Sequence, residues 1–315
     1  MAKINREKIT IMLMMNKIKK FLGDPYYVLG NFMMKHCPKL MSDKYFLKVR
    51  WKKWMGYELD LVSPRTLNEK LQWLKLYDHN PLFTQLADKY EMKEVVKNMA
   101  LEGVETIPTL FVYDKVSDIR WEDLPERFVV KCNHDSGSAI FCADKSSFDK
   151  ESAICILERA INRNYFYKER EWAYKDIKPR IMVEPYLVGD DGKPLVDYKF
   201  YIYGGELQYW MYAVGETAHT GTNLKFSPEK ENIDYLFKEK PMLEESEVVL
   251  PKNIDEMISV ARILGKPFKH VRIDMYSVNG VIYIGEFTFY SSGGTINIHN
   301  RNYSQKLADM IDTSK

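Results

Sequence analysis

The sequence predicts an α/β protein, with α/β lobes that follow a helical N-terminal segment. Two observations favour this class. Apolar residues recur at helical spacing in the segment from Leu67 to Tyr77, whereas short runs further along the chain alternate between apolar and polar residues. With 315 residues, 45% of them hydrophobic, the chain can bury a sizeable core. We therefore expect a folded globular protein of two or three lobes.

Most of the positive charge lies at the N-terminus. The chain has a formal charge of +2, but residues 1–53 contain 13 Lys and Arg against 3 acids, so this segment is +10 and the remainder −8. Apolar residues between Ile9 and Leu22 are interleaved with lysines, in the pattern of a basic amphipathic helix. Such a helix suits peripheral contact with an anionic membrane surface or packing against protein, and it is shorter than the ~20 residues of a membrane span.

The cysteine content and the N-terminal sequence also indicate the cellular compartment of the protein. The cysteines show no metal-ligand spacing and no dense disulfide framework, so we expect free thiols in a cytoplasmic protein, at most peripheral at the inner face of the cell membrane. No secretory cleavage site follows the apolar N-terminal run. We expect no nucleic-acid partner. The cysteines are Cys37, Cys132, Cys142 and Cys155.

Two helices are predicted before the first strands. Thr66 belongs to a capping sequence for a helix over Leu67–Tyr77. A second helix is predicted from Leu86 to about Met99, leading into an extended run. Lys89 then falls near a helix start, where the macrodipole disfavours a cation unless a phosphate lies nearby. An ordinary solvated lysine is the alternative.

The stretch from Phe128 to Cys142 predicts two short strands around a polar loop. Alternation places Lys131 on the face opposite the apolar residues of its strand. His134, in the loop, is more commonly a hydrogen-bonded or exposed histidine than a catalytic one. The loop also contains small residues of the kind that close over phosphates, although a glycine-containing hairpin alone is a weak signal. These small residues are Ser136, Gly137 and Ser138.

Three more strands and a helix are predicted. Residues 180–187 indicate a strand that leaves into a linker, and residues 195–203 alternate with Asp197 and Lys199 together on the polar face. The chain then turns at Gly204-Gly205 into a strand over residues 207–214. A helix is expected over residues 253–264.

A β-hairpin is predicted near the C-terminus. Alternating runs over residues 271–277 and 281–289 flank Asn279-Gly280, the strongest short hairpin signal. Each strand carries one acid, Asp274 on the first and Glu286 on the second. Charges on half-buried strands need a partner, so these acids either hold a metal or form ion pairs with neighbouring basic residues.

The length of the hairpin loop decides whether the two acids can share a metal. With a two-residue loop, Asp274 and Glu286 would point to opposite faces of the sheet. A three-residue loop over residues 278–280, with its glycine left-handed in a bulge, would place both acids on one face together with Arg272 and Thr288. The metal-binding interpretation therefore predicts the three-residue loop.

The residues that follow Glu286 favour a metal and an anion over simple ion pairs. The turn Ser291-Ser292-Gly293-Gly294-Thr295 allows backbone N–H groups to approach an anion closely, directly after a strand with hard oxygen ligands. We therefore expect an anion site beside the candidate metal ligands.

Together, these residues resemble the ATP-grasp superfamily. They comprise a lysine after Asp88, a lysine before a glycine-containing hairpin, a Glu-Pro-Tyr-Leu linker, then Arg-x-Asp and Glu-x-Thr before a glycine pair. Over about residues 40–310 the chain looks like the teichuronopeptide-biosynthesis TupA-like branch. The sequence motifs on which this closer resemblance rests are Asn68-Glu69-Lys70-Leu71-Gln72-Trp73, Ala87-Asp88-Lys89-Tyr90, Lys131-Cys132-Asn133-His134, Asp197-Tyr198-Lys199-Phe200 and Gly285-Glu286-Phe287-Thr288-Phe289-Tyr290.

The resemblance implies an ATP-grasp fold in which two α/β lobes clasp ATP. Its parts would be a basic helical N-terminal segment (1–62), an N-terminal α/β part (63–125), a lid subdomain (126–186) and a catalytic subdomain (187–315). The hinge that bonds adenine would be residues 184–187. The implied ATP-binding residues are Lys89, Lys131, Ser136, Gly137, Ser138, Glu184, Tyr186, Leu187, Asp197 and Lys199.

The resemblance also implies the residues that act on the phosphoryl group and the acceptor. Arg272 and Lys199 would be catalytic, while Asp274 and Glu286 would hold Mg²⁺ between the β- and γ-phosphates. Thr288 would be the third ligand, although most ATP-grasp enzymes have Asn at its position. The implied substrate residues are Ser292, Gly293, Gly294, Thr295 and Arg301.

The implied activity is that of an ATP-dependent carboxylate–amine ligase that releases ADP and phosphate. Its partners would be an amino acid or amine and a carboxylate-bearing glycan, such as a uronic-acid-containing or peptidyl cell-surface polysaccharide or its precursor. A kinase that phosphorylates a glycan or small molecule is the alternative. A glycosyltransferase is disfavoured because no nucleotide-sugar domain or Asp-x-Asp strand end is present. A non-catalytic binding module is disfavoured because both acids and both lysines are present.

Overall fold

The computed structural model describes residues 24–190, 192–214, 222–238 and 243–314. The described residues up to Asp60 form one compact unit, and those from Leu61 onward form a second. The amphipathic helix predicted over residues 9–22 lies outside the described residues. No helix in the described ranges has the length and apolar composition needed to cross a membrane.

The first unit is helical, as the sequence predicts. Helix α1 spans Pro25–His36 and begins after Asp24, whose carboxylate accepts a backbone N–H from the first turn. Helix α2 spans Asp43–Met55 and ends at Gly56, which has a φ of 79°. Because such left-handed backbone favours glycine, Gly56 provides a suitable end for this helix.

Three helices open the second unit. They are α3 (Leu67–Tyr77), α4 (Pro81–Ala87) and α5 (Glu91–Asn98). The Thr66 side chain accepts the backbone N–H of Glu69, and the Glu69 side chain accepts the backbone N–H of Thr66, which together form a capping box at the start of α3. The predicted start and end of α3 are therefore confirmed.

The prediction of a helix that begins at Leu86 is wrong, because one helix ends at Ala87 and the next begins four residues later, at Glu91. Asp88 separates the two. Its carboxylate accepts the backbone N–H groups of Tyr90 at 2.8 Å and Glu91 at 3.3 Å, at the point where α5 begins. Lys89 consequently lies in a turn rather than in a helix.

Two β-sheets form the centre of the second unit. The smaller sheet has the strand order β2-β5-β3-β4 and the larger has β1-β10-β9-β6-β7-β8. All pairs are antiparallel except β1 with β10. The strands are β1 (Val104–Thr106), β2 (Phe111–Tyr113), β3 (Phe128–Cys132), β4 (Ile140–Cys142), β5 (Ile181–Pro185), β6 (Asp197–Tyr203), β7 (Glu206–Val214), β8 (Thr222–Phe226), β9 (His270–Val278) and β10 (Val281–Thr288).

Helices cover the apolar faces of both sheets. Helix α6 (Lys150–Ile161) packs on the smaller sheet, where Phe128 and Val130 are buried in its core. Helix α7 (Phe166–Glu169) follows, and helix α8 (Ile254–Gly265) packs on β6, β7 and β9 of the larger sheet. A short helical turn at Ser291–Gly294 and helix α9 (Arg301–Asp309) complete the unit.

The loop of the C-terminal hairpin differs from the prediction. Val278 pairs directly with Val281, so the loop has two residues rather than three. Its residues, Asn279 and Gly280, have φ values of 51° and 78°. Positive φ at both positions is the geometry of the turn that best matches the twist of hairpin strands, which explains why Asn-Gly adopts it here.

The extra residue lies instead within strand β10. The ladder slips by one residue at Gly285, and beyond it Glu286 pairs with Asp274 and Thr288 pairs with Arg272. The bulge shifts the alternation of side chains in β10 by one residue, so Glu286 points to the same face as Asp274 even though the loop has two residues. The prediction that the two acids share one face is therefore confirmed, although the predicted loop is wrong.

Candidate active site

Two carboxylates lie opposite each other on one face of the larger sheet. Asp274 on β9 and Glu286 on β10 are direct partners across the ladder. Asp274 is buried, whereas the Glu286 side chain is 21% exposed. Lys199 on β6 pairs with Asp274 from the other side, so three neighbouring strands contribute charged side chains to one face.

Asp274 is held by two cations. Arg272 Nε and Nη2 donate to its two carboxylate oxygens at 2.6 and 2.7 Å, and Lys199 Nζ donates to Oδ2 at 2.8 Å. Burial alone would raise the pKa of Asp274, but Arg272 and Lys199 hold this pKa below its ordinary value. Lys199 also pairs with Asp197. The pairs therefore keep Asp274 ionised near neutral pH.

Glu286 is held more loosely. Lys89 Nζ lies 3.3 Å from Oε1, and Arg272 Nη2 lies 3.7 Å from Oε2. The hydroxyl of Tyr174 is 3.5 Å from Oε1. These distances are long for charge-assisted bonds, so Glu286 can change partners at lower cost than Asp274.

The polar loop over residues 133–138 is anchored at several points. Ser138 Oγ accepts the backbone N–H of Cys132 at 2.9 Å and donates to Asp135 at 2.5 Å. Lys89 Nζ donates to the backbone carbonyl of Asp135 at 2.7 Å. His134 is buried, and its ring bonds backbone carbonyls, so it is a hydrogen-bonded histidine. Lys89 thus links this loop to Glu286.

A second buried carboxylate, Glu184 on β5, binds two lysines. Its Oε2 lies 2.6 Å from Lys131 on β3, and its Oε1 lies 2.5 Å from Lys93 on α5. Burial alone would raise the pKa of Glu184, but the two lysines hold this pKa below its ordinary value. Lys93 was not identified from the sequence, because helix periodicity does not show which lysine on a helix faces inward.

A cavity of about 270 Å³ lies between the two sheets. Most of the ATP-binding residues expected from the sequence line this cavity. Lys199 is not among the described residues at its wall, but it forms an ion pair with Asp197, which is. The expected residues at its wall are Lys89, Lys131, Ser136, Gly137, Ser138, Glu184, Tyr186, Leu187, Asp197 and Glu286. Residues that the sequence did not single out also contribute, namely Ile107, Val129, Phe141, Pro194, Leu195 and Tyr276.

The expected acceptor turn is shaped by backbone geometry. Ser292, Gly293 and Gly294 have φ values of 53°, 62° and 72°. Left-handed backbone is costly for residues with a side chain, and the two glycines reduce this cost. Thr295 follows, bonded through its hydroxyl to the carbonyl of Ser292. Arg301, by contrast, is an exposed residue at the start of α9.

Helix α3 holds this turn from behind. Gln72 Nε2 donates to the carbonyl of Gly294 at 2.8 Å, and Lys75 Nζ donates to that of Gly293 at 2.7 Å. Asn68 both donates to the carbonyl and accepts the N–H of Ile296. The sequence predicted α3 but not this role, because the partners lie more than 200 residues apart in the chain.

An acidic residue near the site was also missed. Glu171 is buried, and burial together with Glu169, against the opposing effect of Lys75, raises its pKa to about 7. The negative charge of Glu286 also raises the pKa of Glu171. No local motif marks Glu171 in the sequence.

A family model now identifies the chain. The model of the TupA-like ATP-grasp family matches residues 69–312, which is most of the chain. The chain belongs to the TupA-like ATP-grasp family. Membership confirms the α/β ATP-grasp fold and the assignment as an ATP-dependent ligase that the sequence predicted.

Solved structures similar to this TupA-like ATP-grasp chain have low sequence identity. D-alanine–D-alanine ligase from Bacillus anthracis, complexed with ATP, is 17% identical with a TM-score of 0.41, covering 86% of this chain and 75% of that chain. The D-alanine–D-alanine ligase from Helicobacter pylori is 13% identical with a TM-score of 0.39, covering 78% and 68%. D-cycloserine synthetase DcsG is 15% identical with a TM-score of 0.38, covering 73% and 70%. No curated protein matches the sequence.

ATP-grasp enzymes use ATP with a divalent metal, and the oxygens of the site fit one. Two buried oxygens beside the carboxylates, Asp197 Oδ1 and Thr288 Oγ1, have no hydrogen-bond partner. Within the described residues, no three or more His, Cys, Asp or Glu side chains form a metal site by themselves. Carboxylate and hydroxyl oxygens are the hard ligands that divalent metals of this kind prefer.

Proposed function

We propose that this chain is a carboxylate–amine ligase that forms an amide through an acylphosphate, with ADP and phosphate as products. The observation that carries the proposal is the pairing of Asp274 with Glu286 on one sheet face, with Arg272 and Lys199 around them. Glu286 also lines the cavity between the sheets. Hard-oxygen ligands and cations are thus concentrated at one end of a space suited to a nucleotide.

Each part of the cavity has a proposed role in binding ATP. The hinge at residues 184–187 binds adenine, and Lys131 and Lys89 bind phosphates. Asp274 and Glu286 hold Mg²⁺, with Thr288 as the third ligand. When bound, Mg²⁺ neutralises charge on the β- and γ-phosphates. The unpartnered Thr288 hydroxyl supports this ligand set in place of the usual Asn.

The proposed reaction has two steps, each served by residues of this chain. An oxygen of the acceptor carboxylate attacks the γ-phosphorus, and the bond from that phosphorus to ADP breaks. Arg272, with Lys199 behind it, stabilises the charge of the transferred group. The amine nitrogen then attacks the carbonyl carbon, phosphate leaves, and the nitrogen loses a proton. The turn over residues 291–295 positions the acceptor.

The proposed substrates are an amino acid or amine and a carboxylate-bearing glycan or glycan precursor, such as one that contains uronic acid. The choice of a cell-surface polysaccharide rests on the resemblance of the sequence motifs to the teichuronopeptide-biosynthesis branch, and the choice of the inner face of the cell membrane rests on the basic N-terminal segment. The anionic acceptor would also complement the cations of the site.

The experiment is ADP release across a panel of amino acids, each with uronate-containing acceptors and Mg²⁺. We expect release that depends on the acceptor, and hydroxylamine should convert the acylphosphate into a hydroxamate. Acceptor-dependent ADP release with a stable phosphoester and no hydroxamate would instead identify a kinase. AMP and pyrophosphate would contradict both activities.

A further inference from the structure

Two lysines, Lys93 and Lys131, bind different oxygens of the buried Glu184 carboxylate. Glu184 is 2% exposed, and each of its two oxygens receives one ammonium group. Lys131 lines the cavity between the sheets, whereas Lys93 is not among the described residues at its wall. Lys93 comes instead from helix α5, so Glu184 lies between an ammonium group at the cavity and one behind it.

The two lysines differ in the donors that they have left. Lys93 Nζ donates to the carbonyl of Ile107 at 2.7 Å, to Thr109 Oγ1 at 2.6 Å and to Glu184 at 2.5 Å. An ammonium group has three donors, so those of Lys93 are all used. Among the described residues, Glu184 is the one ion-pair partner of Lys131. Lys131 therefore keeps donors for a ligand, and Lys93 does not.

The second lysine, Lys93, changes the charge balance around Glu184. A buried carboxylate that loses its only cation carries a large desolvation cost, so Glu184 with Lys131 alone would hold that lysine tightly. With Lys93 present, Glu184 is already neutralised when Lys131 turns towards another anion. Burial lowers the pKa of Lys93, but Glu184 opposes this effect, as expected for a cation whose role is to balance that acid.

We propose that Lys93 is a positioning residue for ATP: it neutralises Glu184 from behind the cavity and thereby leaves Lys131 available to the nucleotide phosphates. The inference rests on the nucleotide site proposed above. Lys93 itself does not contact the nucleotide. It acts through Glu184, so its effect on ATP should disappear when the carboxylate is removed.

The test is ATP affinity, measured by calorimetry with Mg²⁺ and without any acceptor, for Lys93→Met in two backgrounds. In the wild-type background we expect roughly tenfold weaker binding, which corresponds to about 1.4 kcal/mol. In the Glu184→Gln background the same substitution should change the affinity by less than about twofold, because no charge is left to recruit Lys131. Lys97→Met, an exposed lysine on the same helix, is the matched control and should bind as wild type.

The outcomes separate this inference from the proposed function. An equal loss in both backgrounds, or no loss in either, would overturn the role of Lys93 while leaving the nucleotide site intact. A wild-type protein that binds no ATP would overturn the nucleotide site itself. If Lys93→Met does not fold, Lys93→Gln has the same expected results, because its amide can still donate to Ile107 and Thr109.

Discussion

Glu286 faces Asp274 across the hairpin because the residue before it, Gly285, takes no partner on the neighbouring strand. The residue at the bulge has little freedom to change. A Cβ atom at Gly285 would lie 2.6 Å from the ring of Tyr276, a residue that lines the cavity. The alignment of the two acids and the shape of the cavity wall thus depend on the same glycine.

Gly285→Ala should therefore impair nucleotide binding and stability together. The new methyl group must displace Tyr276 or widen the bulge, at a cost of about 1–3 kcal/mol. Thermal unfolding and ATP affinity measure the two effects. Tyr276→Leu in the Gly285→Ala background should recover stability by removing the clash. If the double variant is no more stable than Gly285→Ala, the Tyr276 ring is not the source of the cost.

Amide substitutions of the two acids should abolish turnover but differ in stability. Asp274→Asn leaves Arg272 and Lys199 buried with less compensation, so we expect a loss of roughly 3 kcal/mol. Glu286→Gln removes longer and more exposed pairs, and should lower stability by less than about 1 kcal/mol. Chemical denaturation of both variants checks the difference. Equal losses would contradict the unequal pairing of the two acids.

The hairpin shows how far alternation in a sequence can predict a sheet. Asn279-Gly280 marked the turn, and alternation marked both strands, because turn chemistry and side-chain period are local properties. The bulge was assigned to the wrong place because Gly285 is constrained by the ring of Tyr276 on the other strand. A contact between strands cannot be read from either strand alone.

The Thr288 hydroxyl should have opposite effects on stability and on metal use. It is buried without a hydrogen-bond partner, so Thr288→Val should keep or raise the melting temperature in the absence of metal. The same variant should need a higher Mg²⁺ concentration for half-maximal ADP release if the hydroxyl is a ligand. Thr288→Ser, which keeps the hydroxyl, is the control. An unchanged Mg²⁺ requirement in Thr288→Val would exclude the ligand role.

The contact between α3 and the acceptor turn should control acceptor affinity. Gln72→Leu leaves the buried carbonyl of Gly294 without its donor, at a cost of about 1–3 kcal/mol, and should raise the KM for the acceptor several-fold. ATP affinity should not change. Lys70→Met is the matched control, because Lys70 bonds the carbonyls of Ala308 and Ile311 rather than the turn. Equal changes in KM for both variants would show a general effect of α3.

Glu171 should make stability depend on pH. Its pKa in the folded state is raised to about 7, above the usual value of an unfolded glutamate, so the folded state retains a proton that the unfolded state loses. Its contribution to stability is complete below about pH 4.5 and is lost as the pH rises towards 7. Glu171→Gln should thus raise the melting temperature by a few degrees at pH 8 and have little effect at pH 4.5. The same shift at both pH values would rule out titration of Glu171.

The candidate site was predictable where a residue acts through its own strand or turn. Lys131, Asp197 and Glu286 could be placed by period and by neighbouring turn residues. Lys93 and Gln72 could not be placed in this way. Each is one of several polar residues on its helix, and each binds a residue that lies far along the chain. Helical periodicity separates apolar from polar faces, but it does not show which polar side chain will bind a distant carboxylate or carbonyl.

The bonds from α3 to the turn have a consequence for chimeras of related ligases. Asn68, Gln72 and Lys75 bind the main chain of residues 293–296, so their contacts do not depend on the side chains of the turn. A turn transplanted from a relative would keep its conformation only if it arrived with a compatible helix. Residues 68–75 and 293–296 should therefore be exchanged together, as one cassette assembled from two distant parts of the gene.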